Sequence, residues 1–332
     1  MVYNKYIGII GGTGTIGSII VKYLLQLQTH FHVLIGGRRS IKEISMSTFY
    51  NSERLKYNQM NYNNDVELDN FCSQCLLVIN AVGPSFKIND KIALHALRNN
   101  CHYIDIGGYG ILRDLLKPYE KSIEAQKLCF IIGVGWMPGI SGVFSKTIIE
   151  THLNSPENTN FNIYYGAVDN WSYSSTYDLA ASSMGKTRSY VYSHGKEIQV
   201  SPFRYTHHKF FPFIGHKKIC MPSFDEQLTQ LATSLKQIRK ISTFIMLNDY
   251  ISMGKFMFIK IFYKHNLNKA TLMLQDDYQR LVKKENKWGS VICQVSKIEP
   301  ERKIDTFYYL YTKNNLLYTA LPAVITTQYI LE

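Results

Sequence analysis

The sequence predicts an α/β fold, a doubly wound parallel sheet together with a mainly antiparallel α+β second domain. Three observations predict it. Residues 6–132 alternate short apolar strands with helical stretches, the pattern of parallel strands joined by crossover helices. After about Gly135 the runs become aromatic and β-branched, as in FNIYYGAV, RSYVYSH, KEIQVS, VICQVS and DTFYYLYT, with turns such as HGK between them. The chain has 332 residues, too many for one compact core and suited to two domains.

The elements follow in order. YIGIIGG is a strand running into glycines. Thr15–Gln28 has Ile16, Ile19, Ile20, Tyr23, Leu24 and Leu27 at helical spacing. HVLIGG is a second strand. LLVINAVGP is read as the fourth strand, closing on a turn. Helix Asn89–Asn99, strand HYIDIGG, helix Leu112–Lys127 and strand LCFIIGVG complete the alternation. PAVITTQYILE at the C-terminus is helical again.

Composition narrows the function classes. The apolar fraction is 45% and the charged fraction 19%, a globular balance. The formal net charge is +12, but the basic residues are spread evenly. No Lys/Arg-rich block suggests a nucleic-acid surface, and the positive field suits anionic ligands or an acidic partner. No window offers about 18 uninterrupted apolar residues. Thr243–Tyr263 comes nearest and is broken by Asn248, Asp249, Lys255 and Lys260, so it is read as core-facing helix or strand. The N-terminal residues lack a leader pattern, and a cytoplasmic location is expected. The six cysteines are scattered and expected to be free thiols. Cys72 and Cys75 form a CxxC with no second pair, read as structural.

GGTGTIG at 11–17 carries the strongest chemical signal. Gly12, Gly14 and Gly17 form a GxGxxG that follows a predicted strand and opens a predicted helix, the context that gives the motif meaning. The first glycine permits a tight turn, the second lets backbone approach a pyrophosphate, and the third lets helix pack on strand. Amides at the helix N-terminus then face the phosphates. Gly12, Thr13, Gly14, Thr15, Ile16 and Gly17 are therefore the expected cofactor contacts. The second strand selects the cofactor. An NAD site places an acid at its end for the ribose 2′-hydroxyl. Here the end reads Gly36, Gly37, Arg38, Arg39, with Glu43 the nearest acid. Arg38 and Arg39 suit the 2′-phosphate of NADP, which a guanidinium grips in a fork. The small-residue turn at Ala81, Val82 and Gly83 is expected to pass close to the cofactor.

These segments resemble the saccharopine dehydrogenase-like family, which includes saccharopine reductases and carboxynorspermidine dehydrogenases. IIGGTGTIG with GGRR, VINAVGP with IALHALRNNCHYIDIGGY, GVGWMPGISGVFSK and ALPAVITTQYIL carry the resemblance. It covers the first 150 residues and the final helix, and the middle only in layout. It implies an NADP-binding Rossmann domain at 1–135, completed by a helix at 316–332, with an α+β substrate and oligomerisation domain inserted at 136–315. It implies NADP-linked reduction of an imine or carbonyl intermediate, or the reverse, in amino-acid, polyamine or secondary metabolism. Met137 stands where members often carry Asp, and GGY, with Tyr109, where many carry Glu. Both changes remove negative charge and weigh against a substrate with a free ammonium group. A modified or carrier-bound substrate fits better.

Reduction of C=N or C=O needs a proton donor. Asp105 and Tyr109 end the HYIDIGG strand, where open α/β sheets bind ligands. Asp105 reads equally as a turn cap. Trp136, Met137, Pro138, Gly139 and Ser141 form a turn into a helix whose amides suit a substrate carboxylate. His207, His208, His216 and Cys220 match no standard zinc spacing, and flanking prolines suggest an exposed loop, so no metal is expected. Tyr192/Lys196 and Tyr309/Lys313 have YxxxK spacing but lie in strand-like segments. Two further readings stay open: an NADP-binding redox sensor without turnover, and a reductase serving a carrier protein. The expected partners are a small-molecule substrate, anionic or carrier-bound, and a second copy in a homodimer, with no nucleic acid and no membrane.

Overall fold

The computed structural model describes residues 6–27, 30–40, 52–108, 110–151, 156–184, 189–223, 226–263, 265–298 and 300–332. They fall into two compact units, Met1–Ile140 with Leu316–Glu332, and Ser141–Asn315. Residues 136–140, which the sequence assigned to the second domain, belong to the first. The Ile140 N–H donates to Gly135 O at 3.0 Å, and the Gly135 N–H to Pro138 O at 3.0 Å.

In the first unit the chain runs β1 (Tyr6–Ile10), α1 (Thr15–Gln26), β2 (Val33–Gly37), β3 (Leu55–Gln59), α2 (Asp65–Cys72), β4 (Cys75–Asn80), α3 (Ser85–Ile88), α4 (Lys91–Arg98), β5 (His102–Asp105), α5 (Gly110–Leu116), α6 (Glu120–Ala125) and β6 (Phe130–Ile132). Its strands form one parallel sheet in the order β3-β2-β1-β4-β5-β6. That is the order of the doubly wound dinucleotide-binding sheet.

Strand alternation sends side chains to two covered faces. Ile7, Ile9, Val33, Ile35, Leu77, Ile79 and Ile104 pack with Ile20, Val21 and Leu24 of α1 and with Ala320, Ala323 and Val324 of the C-terminal helix. Ile10, Leu34, Val78 and Tyr103 pack on the other face with residues of α2, α4 and α5. Each fully buried aliphatic side chain contributes about 1.5–3 kcal/mol. Gly8 and Gly36 make room for Phe71: a Cβ would lie 2.8 Å from its ring at either position. Cys72, Cys75 and Cys101 are free and buried here, and burial pushes the Cys72 thiol up.

Three expectations change. Strand β3 was not assigned, because as an exposed edge strand it buries little; only Leu55 and Tyr57, on alternate positions, pack on the core. The helix expected at Leu112–Lys127 is broken by a 3-10 turn at Lys117–Tyr119, where Pro118 has no N–H to donate. The first helix stops at Gln26 because Leu27 is extended.

The second unit contains α7 (Ile140–Thr151) from Ser141 on, β7 (Thr159–Val168), α8 (Tyr173–Met184), β8 (Ser189–Ser193), β9 (Lys196–Val200), α9 (Pro202–Tyr205), β10 (His207–Phe211), β11 (His216–Pro222), α10 (Glu226–Ser234), β12 (Lys240–Leu247), α11 (Tyr250–Phe262), α12 (Leu267–Lys284), β13 (Trp288–Ile298) and β14 (Lys303–Thr312). The last helix, α13 (Asn315–Leu331), returns to the first unit from Leu316 on. The sheet runs β10-β11-β12-β7-β13-β14, with β8 and β9 branching from β12. Strands β7 and β12 are parallel and the other pairs antiparallel. Thr243–Tyr263 resolves into the end of β12 and the whole of α11. They divide at Asn248–Asp249, where the Asp249 carboxylate accepts the Ser252 N–H and caps α11.

His207, His208, His216 and Cys220 lie on paired strands β10 and β11, not on an exposed loop; Cys220 is buried opposite His207. Among the described residues no helix is long and apolar enough to cross a membrane, and no group of three or more His, Cys, Asp or Glu could hold a metal.

Candidate functional site

The glycine turn joins β1 to α1 in the first unit. Gly11 donates its N–H to Gly36 O at 2.9 Å, and Gly14 donates to Gly11 O at 2.9 Å. The left-handed backbone is at Gly11, with φ of 84°. The sequence placed the tight turn at Gly12; the turn begins one residue earlier because β1 ends at Ile10. Gly12 instead packs on β2, where a Cβ would lie 2.9 Å from Ile35. At Gly17 a Cβ would lie 2.2 Å from Gly11 O, so only a glycine lets α1 start this close to the turn.

Gly14 is the N-cap of α1 and offers no side-chain cap. The first-turn amides of Thr15, Ile16 and Gly17 are helix-start donors that an intrahelical bond cannot satisfy. Beside Gly14, a Cβ would meet only Gly11 O. This open cradle with outward amides fits a pyrophosphate.

Arg38 and Arg39 follow β2 and are exposed. Strand β3 clamps their backbone: Tyr57 Oη donates to Arg39 O at 2.5 Å, and Gln59 Nε2 to Arg38 O at 3.4 Å. The side chains are thereby presented from a fixed backbone. No acid stands at this strand end, and Glu43 lies outside the described residues.

The third predicted segment reaches the same place. Ala81 donates its N–H to Ile10 O at 2.9 Å. A Cβ on Gly11 would lie 3.0 Å from Ala81 backbone and from Val82 Cγ2. Gly83 completes this turn ahead of Pro84, the N-cap of α3. The structure thus brings together Gly11–Gly17 and Ala81–Val82, with Arg38 and Arg39 at the end of the neighbouring strand.

Asp105 sits one strand further along, at 2% exposure. Its Oδ2 accepts Asn80 Nδ2 at 2.8 Å and Tyr103 Oη at 2.6 Å. Its Oδ1 accepts the N–H of Gly107 at 2.9 Å and of Gly108 at 2.6 Å. Four donors on two oxygens is the geometry of a turn brace, the alternative the sequence left open. Burial and the adjacent Asp105 push the Tyr103 phenol far up. Asn80, which the sequence reading passed over, also accepts the Val82 N–H at 3.0 Å. It therefore ties the Ala81–Gly83 turn to the Asp105 brace; a polar residue ending an otherwise apolar strand was the signal. Ser85, Phe86, Asn89, Asp105, Gly108, Ile111 and Leu112 line a small depression beside it. Tyr109 lies outside the described residues.

Of the substrate candidates, Trp136, Met137, Pro138 and Gly139 belong to the first unit and Ser141 to the second. Gly139 has φ of 128°, and a Cβ there would lie 2.1 Å from Gly135 O. Trp136 meets Tyr318 edge to face at 5.7 Å. Its indole Nε1 is buried without a partner among the described residues. Ser141 is fully buried, its hydroxyl 3.5 Å from Gln227 Oε1. Neither YxxxK tyrosine is on a helix: Tyr192 lies on β8 and Tyr309 on β14.

Strand order, glycine turn and uncapped helix define the first unit as a dinucleotide-binding Rossmann domain. Residues 7–129 match the family model of the saccharopine dehydrogenase NADP-binding domain, so the dinucleotide is NADP. No curated protein matches the sequence. Among solved structures the chain is similar to apo saccharopine dehydrogenase (L-Glu forming) from Saccharomyces cerevisiae, with 12% identity, a TM-score of 0.67, and 98% of this chain and 91% of that chain covered. At that identity the likeness shows a shared fold. The DAP dehydrogenase of C. glutamicum in complex with DAP is more distant, with 10% identity, a TM-score of 0.46 and coverage of 97% and 86%.

Proposed function

We propose that this protein is an NADP-dependent oxidoreductase of the saccharopine dehydrogenase-like type. It reduces an imine or carbonyl intermediate, or runs the reverse oxidation. NADPH bound at such a site supplies the hydride. The chain's own task is to hold and orient. The Thr15–Gly17 amides and the Gly14 opening take the pyrophosphate, Arg38 and Arg39 take the 2′-phosphate, and Ala81–Gly83 flanks the ribose. The observation that carries the reading is the open glycine turn beside an acid-free, arginine-bearing strand end, inside a segment matching an NADP-binding domain.

The reaction also needs a proton at the substrate nitrogen or oxygen. Asp105 is engaged by four donors, which supports bracing; Tyr109 is the remaining candidate donor. The same engagement favours a second reading, an NADP-binding regulator without turnover.

The test offers purified protein NADPH with a panel of amine and keto-acid pairs. The enzyme reading expects enhanced NADPH fluorescence and NADPH oxidation with at least one pair. Tight binding without turnover across the panel selects the regulator. No NADPH binding sinks both.

A further inference from the structure

One half-buried cation in the second unit stands outside everything described so far. Lys209 lies on β10, and its ammonium donates to Gln294 Oε1 on β13 at 2.6 Å and, more weakly, to Tyr164 Oη on β7 at 3.4 Å. The rings of Tyr164 and Phe307 flank it at 4.9 and 4.8 Å. It makes no ion pair among the described residues. Asp305, the acid on this face, pairs instead with Lys303 at 3.1 Å. Burial holds the Lys209 amine below the ordinary lysine range, although Cys220 and Asp305 act in the opposite direction. Taking an ammonium out of water without a counter-ion is costly, and neutral oxygens and ring faces compensate only in part.

The sheet register adds a second observation. Directly paired residues share a face. One row runs Ser242, Asn162, Gln294, Phe307, and the next runs Lys240, Asn160, Ser296, Asp305. Two buried polar atoms in these rows, Ser242 Oγ and Asn160 Oδ1, have no hydrogen-bond partner among the described residues. Ser242 is 1% exposed. A second cation, Lys240, lies on the same rows with its ammonium 4.9 Å from the Tyr205 ring. The face therefore carries Lys209 and Lys240, besides Lys218 and Lys303, which pair with Glu285 and Asp305, and an orphaned hydroxyl, beside an aromatic wall of Tyr164, Phe244 and Phe307.

We infer that this face of the second unit is a binding site for the oxyanion of a small molecule, a carboxylate or phosphate group received by Lys209. The anion supplies the ion-pair partner that Lys209 lacks among the described residues, the Phe307 side accommodates an apolar portion of the ligand, and Ser242 offers a further hydrogen bond. The site lies wholly within the second unit and does not depend on the NADP reading.

The test titrates the intact protein with succinate and, separately, with inorganic phosphate by calorimetry at low salt. Saturable binding of at least one probe is expected. Lys209→Met should weaken it roughly ten-fold or more, the scale of losing a charge-assisted hydrogen bond, while Lys209→Arg should retain it. An Arg38→Ala/Arg39→Ala protein should bind the probe unchanged. No saturable binding, equal binding by Lys209→Met, or loss only in the double arginine variant overturns the inference. Should Lys209→Met fail to fold, the unsubstituted protein is treated with an amine-acylating reagent and read by mass spectrometry. The binding probe should then protect Lys209 but not exposed Lys196, and equal labelling with and without it overturns the inference.

Discussion

Asn80 and Asp105 end adjacent parallel strands and are joined side chain to side chain, Asn80 Nδ2 donating to Asp105 Oδ2 at 2.8 Å. Asn80 is 1% and Asp105 2% exposed. The Asn80 carbonyl oxygen holds the Val82 amide, and Asp105 holds the Gly107 and Gly108 amides. One side-chain bond thus couples two loops at the C-terminal edge of the parallel sheet.

Asn80→Ala leaves an Asp105 oxygen and the Val82 N–H short of a partner. The expected loss is about 1–3 kcal/mol of stability, together with weaker NADPH binding. Thermal unfolding and NADPH fluorescence check both. Asp105→Asn separates the two roles left open for that residue. A brace predicts a lowered melting midpoint; a proton donor predicts an unchanged midpoint with kcat lost.

Replacing Arg38 and Arg39 by alanine should weaken NADPH binding by roughly ten- to a hundred-fold, the scale of hydrogen bonds to a charged group. NADH binding should change little, since it carries no 2′-phosphate. Equal affinity for NADPH and NADH in the unsubstituted protein would count against the assignment of this strand end.

At Gly17 an alanine methyl would lie 2.2 Å from Gly11 O. Gly17→Ala must push α1 off the turn, so NADPH binding should be lost and the first unit destabilised by about 1–3 kcal/mol, the range for overpacking. Gly14→Ala meets only Gly11 O, at 3.1 Å. It should therefore fold near normally yet bind NADPH more weakly, because the added methyl occupies the phosphate cradle. A Gly14→Ala protein with unchanged affinity would refute the cradle.

Asp249 caps α11 and accepts Arg280 Nη1 at 2.6 Å and Nη2 at 2.9 Å. Burial acts upward on its carboxyl, but the Arg280 guanidinium and Ser252 hold it well below the usual carboxylate range. A folded-state value below the unfolded one, about 3.9, stabilises above that pH and is lost as pH falls through the folded value. The second unit should thus weaken below about pH 4. Asp249→Asn should cost about 1 kcal/mol near pH 7, the scale of a helix cap, and flatten that acid limb. Acid titration of the melting midpoint for both proteins reads the difference.

Much of the candidate nucleotide site was legible as local structure because it is built from local backbone rules. A strand, three spaced glycines and a helix start lie within a dozen residues, and the β2 end declares its charge in two letters. Long-range relationships were not legible. Gly11 takes the left-handed position through the point where β1 ends. Strand β3 is polar because it is an edge, so pattern alone gave no reason to mark it.

The sequence by itself determined the parallel α/β unit, the glycine turn between β1 and α1 and the basic, acid-free end of β2, because strand alternation, glycine backbone freedom and side-chain charge act over a few residues. The tertiary structure alone decided that Asp105 is saturated by Asn80, Tyr103 and two amides, and that Lys209 reaches Gln294 across the second sheet. Both depend on strand order and register, which bring together residues 25 and 85 positions apart. Hydrogen-bond saturation and, among the described residues, the absence of an ion pair to Lys209 are properties of those neighbourhoods.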